Sequence, residues 1–134
     1  MNEITIEAQP DNFLQVQEFI GKRLDDMGCK MKERLQIDVA VEEIFVNIAH
    51  YAYKPDTGTA TVIFEENEDS VTITFIDSGK AYNPLKKNDP DITLSAEERQ
   101  IGGLGIFLVK KSMDDMKYEY KEGKNILSIT KKIK

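Results

Sequence analysis

Strand-like and helix-like periodicities come in blocks along this chain, and the order of those blocks limits what it can fold into. Residues 3–8 (EITIEA) alternate apolar and polar, the pattern of an edge strand. Pro10-Asp11-Asn12 supplies turn chemistry and a cap. Phe13, Val16, Phe19, Ile20 and Leu24 then recur at helical spacing, predicting a helix over about residues 12–27 that Gly28 ends. Ile37, Val41, Ile44 and Ile48 form one apolar stripe and predict a second helix over about 32–53, stopped by Pro55 and Gly58. Strand patterns follow over about 59–66 and 70–77, joined by Asn67-Glu68-Asp69, with Val71, Ile73 and Phe75 sharing one face and Thr72, Thr74 and Ile76 the other. A third helix over about 104–114 is apolar nearly all round (Leu104, Ile106, Phe107, Leu108, Val109) and is expected to be well buried. Strands over about 116–121 and 126–132 close the chain around Gly123-Lys124-Asn125. Strands in pairs, with helices collected between them, predict an α+β two-layer sandwich rather than a doubly wound sheet.

Between the second strand pattern and the third helix, residues 78–102 hold Pro84, Pro90, many charges and little periodicity. Ser95 and Glu98 have capping-box spacing, which suggests one short helical turn. An irregular segment of this length inside a compact domain is characteristic of an active-site lid. With 134 residues the chain suits one domain, 1–134, built on one core. Its single cysteine, Cys29, excludes an internal disulfide and fits a reducing compartment; read plainly, it is a small residue near a helix end. The formal charge of -6 disfavours nucleic acid, and the basic run Lys131, Lys132, Lys134 is too short to offset it. With no apolar run of membrane-spanning length and no signal-like N-terminus, a cytoplasmic protein without membrane contact is expected.

Three short segments carry chemistry. Glu43 and Asn47 are four apart on the second helix and therefore neighbours. With Gln36, His50 and Lys54 they form a polar stripe that would also suit a plain solvated face. Asn is a mediocre helix former, however, and its place beside the apolar stripe asks for a partner. A carboxylate and a carboxamide together offer a general base and a hard oxygen ligand for Mg²⁺. Asp77-Ser78-Gly79 directly follows a strand; besides starting a turn, its carboxylate could accept a hydrogen bond from a base amino group. Gly102-Gly103-Leu104-Gly105 runs into a helix, where free N–H groups and the helix dipole suit phosphate oxygens. No Gly-Lys-Ser/Thr follows, so it is not a Walker A loop, and it is not a dinucleotide fingerprint.

Taken in order, these segments resemble the N, G1 and G2 boxes of the GHKL (Bergerat-fold) ATPase superfamily. "EEIFVNIAHYAY" (42–53), "IDSGKAYNPL" (76–85), "GGLGIFLVKKSMDDMKYEY" (102–120) and "GKNILSITKK" (123–132) are similar to its bacterial anti-sigma factor serine kinases, over essentially the whole chain. The resemblance implies a mixed, mostly antiparallel sheet with helices on one face, and ATP and Mg²⁺ as cofactors. It implies Glu43 as general base and Asn47 as Mg²⁺ ligand. Asp77 would bind the adenine amino group, with Gly79 packing near the base. Gly103, Leu104 and Gly105 would hold the phosphates, with Arg99 offsetting phosphate charge. Partners implied are an anti-anti-sigma (STAS-type) protein, a sigma factor and a second copy of the chain. The family commonly carries His four residues after the Asn; here Tyr51 stands there and His50 one earlier. That departure bears on phosphotransfer more than on ATP binding, so an ATP-binding interaction module without kinase activity is the competing reading.

Overall fold

The alternating segments assemble into a five-stranded sheet. The computed structural model describes residues 2–53, 56–86 and 103–133, with Lys86, Gly103 and Leu104 described through their backbone alone. In chain order the elements are β1 (Glu3–Glu7), α1 (Phe13–Asp26) entered through a 3-10 turn at Pro10–Asn12, α2 (Met31–Asn47), β2 (Thr59–Glu66), β3 (Ser70–Asp77), α3 (Gly103–Ser112), β4 (Asp115–Lys121) and β5 (Lys124–Lys132). Strand order is β1-β2-β3-β5-β4. All pairings among the described residues are antiparallel, where a mixed sheet had been expected.

Most apolar strand residues share one face, with Ile63, Ile76 and Ile126 on the other. Val62 and Phe64 of β2, Val71, Ile73 and Phe75 of β3, and Leu127 and Ile129 of β5 join Val16, Ile20 and Leu24 of α1, Ile37, Val41, Ile44 and Phe45 of α2, and Val109 of α3 in one core. The opposite face carries hydroxyls that pair across strands: Thr5 with Thr61 at 2.9 Å, Thr72 with Thr130 at 3.1 Å, and Thr74 with Ser128 at 2.9 Å. This is the α+β sandwich that the block order predicts.

α2 packs against both α1 and α3, so it is buried on more than the stripe predicted for it. Phe45, outside that stripe, is fully buried and meets the Phe13 ring at 6.4 Å between centroids. Nor does α2 run to residue 53 as an α-helix. It gives way after Asn47 to a single π-helical turn, Ile48–Ala52. Its end is held from outside: Lys80 N–H donates to Ala52 O at 2.9 Å, and Tyr53 OH donates to Thr59 O at 2.6 Å while accepting from Ser78 N–H at 2.7 Å. Gly58 lies against the Tyr53 ring so closely that a Cβ there would come within 2.3 Å of it. Pro55, expected as the stop signal, lies outside the described residues, as do Lys54, Pro90 and the Ser95/Glu98 capping box.

α3 is less enclosed than its composition suggests. Ile106 and Val109 are buried, but Leu108 is about half exposed. No helix among the described residues is long and apolar enough to cross a membrane. The last hairpin also differs from expectation. Its turn is Glu122-Gly123, with φ 55° and 78°, so Lys124 and Asn125 belong to β5 instead of the loop. Two positive φ values mark a mirror-image turn suited to Asn-Gly, and a left-handed Glu costs on the order of 1–2 kcal/mol. Glu122→Asn should therefore stabilise the fold by about 0.5–1 kcal/mol. Urea unfolding should show a higher midpoint at unchanged slope; a lower midpoint would contradict the turn geometry.

Candidate functional site

The ends of β3 and β5, the π-helical turn and the start of α3 surround a cavity of about 420 Å³. Its walls include Ile44, Asn47 and Tyr51 from α2 and the π turn, Phe75 and Asp77 from β3, Ile106 from α3, Asn125 and Leu127 from β5, and Tyr118 from β4. The lining is mainly apolar with a few polar groups, the usual make-up of a small-molecule site.

Asp77 reaches the cavity because of its register. Along the core face of the β3–β5 ladder, Ile73 pairs with Ile129 and Phe75 with Leu127; the next rung is Asp77 with Asn125. Both polar residues are buried, Asp77 at 6% exposure and Asn125 at 7%. A carboxylate so placed needs hydrogen bonds. Gly79 N–H donates to Asp77 Oδ1 at 2.9 Å and Asn125 Nδ2 donates to the same oxygen at 3.0 Å. Among the described residues no hydrogen bond reaches Oδ2, which is left to receive a donor from a ligand. Gly79 is needed because a Cβ there would stand 2.3 Å from Ala52 O.

Glu43 and Asn47 meet as their spacing predicts. Asn47 Nδ2 donates to Glu43 Oε1 at 3.2 Å, which leaves the Asn47 amide oxygen as an acceptor or hard ligand. The glycine run does open a helix: Gly103, Leu104 and Gly105 are the first residues of α3, where backbone N–H groups have no intrahelical partner. The structure adds a contact that spacing could not show. A Cβ on Gly105 would fall 2.0 Å from the Glu43 carboxylate, so this glycine makes room for that side chain. Arg99 lies outside the described residues. Tyr51, itself about half exposed, lines the cavity and exposed His50 does not, with the two rings 6.0 Å apart.

Sequence reasoning missed Asn125, Tyr118 and Tyr53. Asn125 was assigned to a loop; extending the period-two pattern of Leu127 and Ile129 back by one step would have placed it on the core face. Tyr118 OH donates to Asn125 Oδ1. Burial pushes the Tyr118 phenol up, so it remains a donor near neutral pH. Tyr53 bridges β2 and the Asp77 turn without itself lining the cavity.

A helical layer on one face of an antiparallel sheet, with a buried carboxylate at a strand end and a glycine-led helix bordering the same cavity, is an arrangement suited to holding a small ligand. The chain belongs to the histidine kinase-like ATPase domain family, whose model matches residues 6–131. It is 32% identical over 105 residues to the serine-protein kinase RsbW of Bacillus mycoides (strain KBAB4), and 35% identical over 105 residues to that of Bacillus cereus (strain B4264). Each match covers 75% of this chain and 66% of the relative, so the chain spans just under two thirds of those proteins' length. A crystal structure of the RsbU and RsbW domains of a Mycobacterium tuberculosis protein superposes with a TM-score of 0.65 at 13% identity, covering 99% of this chain and 33% of that one. That likeness concerns the fold.

Gly79 and Gly105 differ in what a methyl group would meet. At position 79 it meets backbone already hydrogen-bonded to Lys80; at position 105 it meets the end of a flexible side chain. Gly79→Ala should cost about 1–3 kcal/mol. Gly105→Ala should change stability by under about 1 kcal/mol, because alanine's better helix propensity offsets the crowding. It should nevertheless move Glu43 and shift the Asn47 side-chain amide resonances. Urea unfolding with ¹⁵N spectra checks both, and the reverse stability ranking would contradict these contacts.

Proposed function

We propose that this chain is an ATP-dependent anti-sigma factor protein serine kinase. In this reading residues 1–134 form one ATPase domain that phosphorylates an anti-anti-sigma partner of STAS type and binds a sigma factor, as a cytoplasmic homodimer. The observation that carries the reading is that Asn47 of α2 and Asp77 at the end of β3 line one cavity, while Glu43 is hydrogen-bonded to Asn47 and lies against Gly105 of α3. The likeness to proteins named serine-protein kinase RsbW, at 32–35% identity, supports it.

The residues fit Mg-ATP. Asp77 Oδ2 is available to accept from the adenine amino group, and Gly79 keeps the backbone close to the base. Backbone N–H groups of Gly103, Leu104 and Gly105 would hold phosphate oxygens, and Arg99 is assigned to offsetting their charge. Asn47 offers one amide oxygen, and Mg²⁺ bound with phosphates typically takes only one or two protein oxygens. ATP supplies the γ-phosphoryl group and Mg²⁺ offsets its charge. Glu43 would accept the proton of the partner's serine hydroxyl as that oxygen takes the phosphoryl group and ADP leaves; the chain's remaining contribution is positioning.

A second reading, an ATP-binding interaction module without transfer, is favoured by one observation: Tyr51 fills the cavity wall where the related kinases commonly carry His. Incubation with Mg-[γ-³²P]ATP and the cognate anti-anti-sigma protein separates the two. Wild type should label the partner, and Glu43→Ala should lower the rate by at least about 100-fold while ATP affinity stays within about threefold. Normal ATP binding without any transfer by wild type would leave the module. Calorimetry that detects no Mg-ATP or Mg-ADP binding, with Asp77→Asn as the control, would remove the nucleotide reading altogether.

A further inference from the structure

Asn125 makes more side-chain hydrogen bonds than any other described residue around the cavity, and neither the family motifs nor the proposed chemistry gives it a task. Its Nδ2 donates to Asp77 Oδ1 at 3.0 Å and to Lys80 O at 2.9 Å, with Gly79 O at 3.5 Å. Its Oδ1 accepts from Tyr82 N–H at 3.1 Å and from Tyr118 OH. Both amide hydrogens and both oxygen lone pairs are thus engaged, and the orientation of the amide is fixed by its partners. Those partners belong to β3, β4 and the segment 80–82 that follows the Asp77 turn, so one carboxamide ties three parts of the chain to the start of β5.

Neighbouring side-chain types cannot do this. An aspartate has no donor for Asp77 or Lys80 O, a leucine has neither donor nor acceptor, and a threonine has one donor on a shorter stem. Nor is a carboxamide needed merely to close the end of the ladder: Gly79 N–H already bonds Asp77 Oδ1, and the β3–β5 pairing is a backbone one. What the carboxamide adds is direction. By sharing Oδ1 with Gly79 it holds the carboxylate of a cavity-lining residue by one oxygen and leaves Oδ2 the oxygen without a hydrogen bond among the described residues, and it ties the backbone of Tyr82, a wall residue, to the same rung.

Resting on the ATP-binding reading above, we propose that Asn125 is the positioning residue for base recognition: its carboxamide commits Asp77 to presenting a single outward acceptor and locks the 80–82 wall beside it, which selects a base bearing an amino donor over one bearing a carbonyl there. Adenine has that donor at its six-position; guanine has a carbonyl, which a buried carboxylate repels.

The test uses the full chain as wild type, Asn125→Ala and Asn125→Asp, titrated calorimetrically with Mg-ATP and Mg-GTP between pH 5.5 and 8.5, with thermal melts of each. Wild type should prefer ATP strongly across this window. Asn125→Ala should melt cooperatively, bind ATP at least tenfold more weakly and lose most of its preference over GTP. Asn125→Asp sets a second carboxyl against Asp77; the other titratable groups facing it are the Tyr118 phenol from β4 and Tyr82, while Lys80 meets it through its carbonyl. Like charges at this distance let the pair keep a proton well above the ordinary carboxylate range. A protonated carboxyl can donate to Asp77 as the amide did, so ATP affinity of this variant should be poor at pH 8.5 and recover at least tenfold by pH 5.5. The proposal is overturned if both variants bind and discriminate like wild type, if the Asn125→Asp profile is flat, or if melting and binding are lost together at every pH, which would assign Asn125 to folding alone. Failure of wild type to bind Mg-ATP would instead refute the nucleotide reading itself.

Discussion

A carboxylate buried at the end of an apolar ladder governs the arrangement around it. Left without partners, Asp77 would cost several kcal/mol, so the chain around it is committed to supplying donors. The Gly79 N–H can do so only if the backbone turns sharply after β3. That turn presses Gly79 against Ala52 and sends Lys80 N–H to the Ala52 carbonyl. The end of the α2 segment is thereby fastened to the end of β3, and Tyr53 fastens it again through Ser78. The cavity is the space these commitments leave between sheet and helices.

Much of this was legible in the sequence because it follows from periodicity. Val71, Ile73 and Phe75 alternate cleanly, and the blocks of strands and helices fix an α+β sandwich. What periodicity misses is whatever departs from one face per element. Phe45 escaped because α2 is covered on two sides, and a single stripe describes only one of them. Leu108 was expected inside because α3 is apolar all round, yet a helix at the edge of a layer keeps one face toward solvent. Asn125 was read as turn chemistry because Gly123 beside polar residues suggests a loop; a two-residue turn with positive φ at Glu122 shifts both residues into the strand.

The candidate site was legible as three segments in order, and their family was named by them. Its geometry was not, because the decisive contacts join residues far apart in sequence. Gly105 making room for Glu43 is a steric fact with no local signature. The two ends of the site are also built differently. Around Asp77 the groups are held by backbone and a fully bonded carboxamide, which permit little movement. Around Glu43, among the described residues, one 3.2 Å side-chain bond holds the carboxylate. A rigid seat at one end and an adjustable group at the other suit a site that must hold one part of a ligand while chemistry proceeds at another.

The π-helical turn at Ile48–Ala52 has a consequence for how such a chain tolerates change. A π turn fits one more residue into a helical turn than an α-helix does, so side chains beyond it are rotated relative to the helix before it. The buried residues of α2 and the wall residues Ile44 and Asn47 lie before the turn, and the wall residues Ile48, Tyr51 and Ala52 lie within it. The two sets are out of phase, which makes the part of the wall within the turn adjustable apart from the core of α2. Losing one residue there would leave the core of α2 in place while swinging a different side chain onto the cavity. Insertions and deletions of single residues at this point are thus a route by which relatives could diversify the wall without re-evolving the scaffold.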